Sequence, residues 1–229
     1  MSRIGIVCAD DTELAPFLDK MAITNTTKKA MLTFYEGTIS GADAVAVFSG
    51  VCKVNAAVAA QVLIDHFHAD VIFNAGAAGG IDERLKPFDT VISEQAVYHD
   101  VDESILTEFH PWLKSAGFPA NEKLLAVARE YAADSARPIY IGKMVTGEQF
   151  IENEKRQEIR QKHSPLSADM ETASIAHVCF VNSIPFLAVR TITDTQAHEG
   201  MESYEQNGAR AAAVAADIVA ALIEKMDIQ

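Results

Sequence analysis

Acidic side chains that could transfer protons lie at three places in this chain, each next to an apolar run. The first run ends in Cys8-Ala9-Asp10-Asp11-Thr12-Glu13, and Glu171 and Asp194 follow later. A positioned carboxyl group can act as a general acid or base, or can stabilise a developing cation. Each position also has a plain structural explanation, because acids favour helix starts by about 0.3 to 1 kcal/mol and aspartate often begins a loop. Taken singly, these residues leave both interpretations open.

A segment rich in glycine and alanine, NAGAAGG at positions 74–80, follows another apolar run. Glycines such as Gly79 lack a side chain, so the backbone can approach a ligand closely. The spacing is not G-x-G-x-x-G, and the segment therefore gives little support to a dinucleotide site.

The elements that must position these residues can be predicted from the alternation of short apolar runs with longer helical patterns. The predicted strands are 4–9, 32–39, 44–48, 71–74, 90–98, 139–145 and 186–192. The predicted helices are 13–20, 53–66, 121–133, 152–163, 172–182 and 204–226. This pattern predicts a single α/β domain with a central mixed, twisted β-sheet flanked by helices. In such a sheet ligands bind at the carboxyl ends of strands, where the acids lie.

Composition excludes several classes of function. With 19 Lys+Arg against 32 Asp+Glu, the net charge of -13 repels polyanions and disfavours a nucleic-acid partner. No apolar stretch approaches the roughly 20 residues that a membrane helix needs. The three cysteines, Cys8, Cys52 and Cys179, form no C-x-x-C pair, which predicts reduced thiols and no zinc site. The start of the sequence has no signal-peptide layout, so we expect a cytoplasmic location.

Taken together, the segments resemble the nucleoside phosphorylase/nucleosidase superfamily, and most closely the 5′-methylthioadenosine/S-adenosylhomocysteine nucleosidases. The resemblance extends nearly from end to end of the chain. The segments that carry it are IGIV with Glu13, SGVCKVNAA, NAGAAGG, FDTVISEQAVYHDVD, TGEQFI, ADMETASIAHVC and VRTITD.

The resemblance implies hydrolysis of the N-glycosidic bond of an adenine nucleoside, with no metal or organic cofactor. Glu13 matches the acid that activates the attacking water, Glu171 the acid that holds the ribose hydroxyls, and Asp194 the residue that delivers a proton to adenine N7. The other implied substrate-binding residues are Phe150, which stacks on adenine, Ile151, whose backbone bonds the adenine edge, Met170, which lies beneath the ribose, Arg190, which supports the water and Glu171, and Gly79.

The sequence departs from the family pattern at several positions. Ala77 replaces a serine, Asp10 a methionine and Cys52 a glycine, so the placement of the water is expected to differ. The segment 103–117 matches poorly, and Tyr204 replaces a phenylalanine. In the family these last regions line the pocket for the 5′ substituent, so the preferred 5′ group is left open, and a deoxyfutalosine-type or deoxyadenosine substrate is an alternative.

Two other functions stay in view. A phosphorylase needs basic groups or a bare glycine turn to hold phosphate, and Lys53 and Arg190 keep that alternative open although the first loop is acidic. A nucleoside-binding homologue without turnover is the third possibility.

The resemblance also implies a homodimer, and we expect helix 53–66 and the segment after His99 to form its interface. Trp112 is expected to be an ordinary packing residue.

Overall fold

The structure, a computed structural model, describes residues 2–110, 113–197 and 200–226. Its helices are α1 Asp11–Lys20, α2 Lys53–Asp65, α3 Glu103–Glu108, α4 Glu122–Asp134, α5 Asn153–His163, α6 Thr172–Asn182 and α7 Gly200–Met226. Its strands are β1 Ile4–Cys8, β2 Ala22–Lys29, β3 Leu32–Ile39, β4 Ala42–Phe48, β5 Val71–Gly80, β6 Thr90–Tyr98, β7 Gly117–Pro119, β8 Ile139–Thr146, β9 Ser167–Asp169 and β10 Phe186–Asp194.

The ten strands in the described residues form one mixed sheet in the order β10-β6-β8-β9-β5-β1-β4-β3-β2, with β7 paired to β6. β1 runs parallel to β4 and β5, and β10 runs parallel to β5. Because β10 also pairs with β6, the strands β5, β9, β8, β6 and β10 close on one another. The predicted α/β fold with a central mixed sheet is therefore confirmed.

Helices cover both faces of the sheet because most of them present small or branched apolar residues to it. On one face α2 and α6 pack with alanines such as Ala59 and Ala176 against the strands. On the other face α1, α4 and α7 contribute Phe17, Leu125 and Val219 to a second apolar cluster. No helix in the described part of the chain is long and apolar enough to cross a membrane.

The structure differs from the predicted elements mainly at the ends of strands and in four elements that were not predicted. β5 continues through the glycine-rich segment to Gly80, because residues 74–79 pair with β10 and residues 79–80 pair with β9. The edge strand β2 was not predicted, since its sequence AITNTTKK is almost entirely exposed and shows no apolar alternation. The short elements α3, β7 and β9 were also missed. Trp112 lies outside the described residues.

Candidate active site

The parallel strands β1, β5 and β10 place Glu13 and Asp194 at one edge of the sheet, and β9, which is antiparallel to β5, leads to Glu171. β1 leads directly into α1, which begins after its N-cap Asp10 and carries Glu13 in its first turn. The register of β10 on β5 places Arg190 beside Gly76 and Asp194 beside Gly79. Residues far apart in sequence therefore meet because the carboxyl ends of parallel strands share one edge.

A cavity of about 330 Å³ opens at this edge, a size that suits a small organic ligand. Its lining combines apolar side chains with a few carboxylates. The described lining residues are Ala9, Glu13, Val51, Ala77, Ala78, Gly79, Gln149, Phe150, Ile151, Ala168, Asp169, Met170, Glu171, Thr193, Asp194, Met201 and Tyr204. Every binding or catalytic residue implied by the resemblance lines this cavity except Arg190, which lies directly behind it.

Arg190 is fully buried and binds three carboxylates at once, and we call these four residues the Arg190 cluster. Its guanidinium lies 3.5 Å from Glu13 Oε1, 3.1 Å from Glu171 Oε2 and 3.3 Å from Asp169 Oδ2. It also donates to Asn74 Oδ1 at 2.9 Å and to the carbonyl of Ala77 at 3.2 Å. A buried cation is tolerated only when its donors are paired in this way.

The carboxylate of Glu13 is held rigidly with both oxygens bonded. Its Oε1 accepts from the backbone N–H of Ala77 at 2.7 Å, and its Oε2 accepts from that of Ala9 at 2.7 Å. Burial raises the pKa of Glu13 above its ordinary value, although Arg190 and the two N–H groups act in the opposite direction. A buried carboxylate with a raised pKa is a stronger base than an exposed one, which suits a group that takes a proton from water.

Glu171 occupies the N-cap position of α6 and faces the same cavity. Its Oε1 accepts from the backbone N–H of Cys52 at 2.9 Å, while its Oε2 bonds Arg190. Burial raises the pKa of Glu171 to about 7, with Arg190 lowering it and the charges of Asp169 and Glu13 raising it further. The carboxyl group of Glu171 is therefore a weaker acid than that of an ordinary glutamate.

Asp194 lies at the end of β10 and pairs with a second buried arginine, Arg156 of α5; we call these two residues the Arg156 pair. Arg156 donates to Asp194 Oδ2 at 2.7 Å and to the carbonyl of Ile151 at 3.1 Å, and it also bonds the carbonyl of Gly80. Thr193 donates to the other oxygen, Asp194 Oδ1, at 2.9 Å. One guanidinium thus ties the carboxylate to two backbone segments beside the cavity.

Sequence reasoning missed Arg156 and assigned no role to Asp169. Arg156 belongs to a helix with the sequence NEKRQEIRQKH, which is typical of a solvated surface helix. The one signal in the sequence is the apolar residue Ile159, which lies three residues after Arg156 and therefore on the same helix face. Both side chains are buried in the structure. Asp169 accepts from Thr146 at 2.6 Å and from the N–H of Thr172 at 3.0 Å, so it orders the start of α6 as well as pairing with Arg190.

Comparisons with known proteins agree with this architecture. The family model of the phosphorylase superfamily matches residues 3–224. A 5′-methylthioadenosine/S-adenosylhomocysteine nucleosidase of Anoxybacillus flavithermus is 33% identical over 98% of this chain and 99% of its own length.

Two solved structures extend the comparison. The structure of the corresponding nucleosidase of Neisseria meningitidis in complex with methylthio-immucillin-A is 29% identical, with a TM-score of 0.90 over 98% of this chain and 100% of that one. A futalosine hydrolase of Helicobacter pylori shares the fold at 24% identity, with a TM-score of 0.89 over 98% of each chain. The chain belongs to the phosphorylase superfamily and, within it, to the family of the 5′-methylthioadenosine/S-adenosylhomocysteine nucleosidases.

Proposed function

We propose that this protein hydrolyses the N-glycosidic bond of an adenine nucleoside of the 5′-methylthioadenosine or S-adenosylhomocysteine class, releasing adenine and a 5′-substituted ribose. Relatives named for this activity support the proposal. So does a cavity whose described lining combines four carboxylates with apolar side chains. Each step of the reaction can be assigned to a residue of this chain.

Glu13 takes the proton of the attacking water. Its two oxygens are fixed by backbone N–H groups, so the carboxylate cannot turn away from the cavity. A general base held in one orientation, with a pKa raised by burial, contributes typically about 10² to 10⁴-fold to a rate.

Glu171 binds the ribose hydroxyls, and Met170 packs beneath the ring. As the glycosidic bond breaks, the ribose becomes an oxocarbenium-like cation. The Arg190 cluster sets three carboxylates against one guanidinium, and the negative charge of its carboxylates favours that cation.

Asp194 protonates adenine N7, so that adenine leaves as a neutral base. Phe150 stacks on the ring, the backbone of Ile151 bonds its edge, and Gly79 allows close approach. A side chain at Gly79 would begin 3.2 Å from Asp194 Oδ2. Because Arg156 occupies Oδ2, the proton is delivered from Oδ1, the oxygen that also contacts Thr193.

The negative charge of the cavity lining is the observation that favours hydrolysis over phosphorolysis. Its described lining contains four carboxylates and no lysine or arginine. Lys53 is 2.9 Å from Asp100, and Arg190 is already shared among three carboxylates. A phosphate dianion would meet repulsion there, whereas water would not.

The test is to incubate the protein with methylthioadenosine, adenosylhomocysteine, deoxyadenosine and inosine, with and without phosphate, and to identify the products. We expect adenine and free 5′-substituted ribose at a rate that phosphate does not change. A ribose 1-phosphate product would establish a phosphorylase instead. No release from any nucleoside would leave a binding protein.

Asp194→Asn tests the proton donor in the same assay. We expect turnover to fall by about 10² to 10⁴-fold with the fold intact, since the amide keeps the shape but supplies no acidic proton. The exposed Asp134 at the end of α4 provides the control variant Asp134→Asn. Retained activity in Asp194→Asn excludes this residue as the acid.

A homodimer is also part of the proposal, with the interface expected from the sequence. Val54 and Val58 on α2 are 74% and 42% exposed, and Ile105 and Phe109 at α3 are 49% and 70% exposed. Val51, which lines the cavity, is itself 44% exposed, so such an interface would border the site. Burying these side chains against a second copy would remove apolar surface from water.

Light scattering at micromolar concentration should give the mass of two chains for the wild type and of one for Val54→Asp. Met31→Asp, at a fully exposed position, is the control. A monomeric wild type with full activity would contradict the dimer. The cytoplasmic location stays a prediction.

A further inference from the structure

Tyr204 on the first turns of α7 spans one side of the cavity. Its ring meets that of Phe150 edge to face, with centroids 6.3 Å apart. At the other end its hydroxyl donates to Asp10 Oδ2 at 3.2 Å. Burial raises the pKa of Tyr204, and the nearby charges of Glu13 and Asp10 raise it further. The side chain therefore reaches from the ring that stacks on the base to the loop that carries the proposed general base.

Asp10 is available for this contact because only its other oxygen caps α1. Its Oδ1 accepts from the backbone N–H of Glu13 at 2.8 Å. Asp10 and Tyr204 both replace apolar residues of the family pattern, and they lie 194 positions apart in the chain. That the two replacements touch each other indicates that they act together.

The chemistry of the pair is that of a hydrogen-bond acceptor. A tyrosine hydroxyl has one proton, and here it is donated to a carboxylate. No described residue donates to the hydroxyl oxygen, so its lone pairs are left for another donor, and the negative charge of Asp10 strengthens that acceptor. Ala9, next to Asp10 in the chain, and Met201, one helical turn before Tyr204, are apolar lining residues, so a donor group placed beside them finds its partner in Tyr204.

We propose that Tyr204, polarised by Asp10, selects adenine nucleosides whose 5′ substituent donates a hydrogen bond, such as a hydroxyl or an amine, over those with a purely apolar 5′ end. This inference rests on the proposed function, because the base must lie by Phe150 and Asp194 and the ribose over Met170 for the 5′ end to reach Tyr204. It names the substrate class that the poorly matching segments leave open.

The test compares adenosine with 5′-deoxyadenosine, which differ by the 5′-hydroxyl alone. In the wild type we expect a higher kcat/KM for adenosine, and in Tyr204→Phe a fall of about tenfold in the ratio of the two values, the loss of one hydrogen bond. The ratio cancels any damage common to both substrates. Asp10→Asn should also lower it, because the amide can donate to the tyrosine oxygen and occupy its lone pairs. Tyr131→Phe, on α4, is the matched control and should leave the ratio unchanged.

Three outcomes decide the matter. A fall in the ratio in Tyr204→Phe but not in Tyr131→Phe supports the inference. A wild type that prefers 5′-deoxyadenosine, or a ratio that Tyr204→Phe does not change, overturns it. If the protein releases adenine from neither of these nucleosides and also from neither methylthioadenosine nor adenosylhomocysteine, the proposed function fails. The dissociation constants of adenosine and 5′-deoxyadenosine, measured by calorimetry with the same variants, then decide the inference on their own.

Discussion

The Arg190 cluster and the Arg156 pair both place a buried guanidinium beside the cavity, but they do so with different balances of charge. Arg190 is shared by three carboxylates, and each of its nitrogens has a hydrogen-bond partner. Arg156 has one carboxylate, and its Nε has no hydrogen-bond partner among the described residues. The side chains of both arginines are at most 3% exposed.

This difference in charge suits the two roles proposed for these regions, which are to stabilise the ribose cation and to protonate the base. Excess negative charge beside the ribose favours a cation there. The one-to-one pair beside the base has no excess charge, and its arginine joins Asp194 to the carbonyls of Ile151 and Gly80. The Arg190 cluster is therefore suited to stabilising charge, whereas the Arg156 pair is suited to fixing position.

The largest expected effect is on stability. Arg190→Met leaves three buried carboxylates without their cation and should lower the free energy of unfolding by about 3 to 5 kcal/mol. Arg156→Met leaves only Asp194 unpaired, so its cost should be smaller by about 1 kcal/mol or more. Urea unfolding of both variants at pH 7.5 measures the difference. Equal losses of unfolding free energy in the two variants would show that the number of carboxylates around each arginine does not determine its effect on stability.

The next largest effect is expected on kcat, from substitution of one glycine beside each of the two regions. A Cβ at Gly76 would lie 2.2 Å from the carboxylate of Glu13, whereas one at Gly79 would lie 3.2 Å from Asp194 Oδ2. Gly76→Ala must displace Glu13, and we expect kcat to fall by about 10²-fold, the cost of a misplacement of about 1 Å. Gly79→Ala requires a shift of a few tenths of an ångström and should cost less than about tenfold. Initial rates of adenine release give both values, and a larger loss in Gly79→Ala would reverse the comparison.

The pH dependence of stability sharpens the comparison further. The folded-state pKa of Glu171 is raised from 4.5 to about 7 by burial, so the folded protein holds this proton where the unfolded chain has lost it. Its contribution to stability is complete below about pH 4.5 and is lost as the pH rises towards 7. Relative to Glu171→Gln, the wild type should lose up to about 1.4 kcal/mol of unfolding free energy per pH unit in that window. Urea unfolding of both proteins from pH 4.5 to 8 checks this, and a difference that is flat or increases with pH contradicts it.

The smallest effect concerns the backbone that supports Glu171. Cys52 has φ 85° and ψ 162°, a conformation that favours glycine, while its N–H bonds Glu171 Oε1. Cys52→Gly relieves strain of about 1 to 3 kcal/mol but adds freedom to the unfolded chain, so we expect a net gain of about 1 kcal/mol. Cys52→Ala keeps the Cβ and is the control in thermal unfolding. A Cys52→Gly variant no more stable than Cys52→Ala would show that the strain is negligible.

Much of the fold followed from local pattern, and the failures have local causes. Strand β10 was predicted because its residues are apolar on both faces, as in a central strand. The small residues of the segment 74–80 have low β-propensity, yet the segment is strand because it pairs with β10 and, at its end, with β9. For β2 the exposed polar sequence offered no periodicity to read.

The candidate site shows the same division. The motifs that contain Glu13, Glu171 and Asp194 were recognised from the sequence, and all three residues line the cavity. Arg156 was not recognised, because ten of the eleven residues of its helix, NEKRQEIRQKH, are polar or charged. That helix could not be distinguished from a solvated one until its packing was seen.

The sequence by itself determined the alternation of strands and helices, the apolar faces and the family, because these depend on neighbouring residues and on motifs contiguous in the chain. Only the tertiary structure decided that Arg190 meets three carboxylates, that Arg156 turns inwards to Asp194 and that Tyr204 reaches Asp10. Those contacts depend on the register of parallel strands and on which helix face is buried. Both are set by packing over the whole chain, which no local stretch of sequence contains.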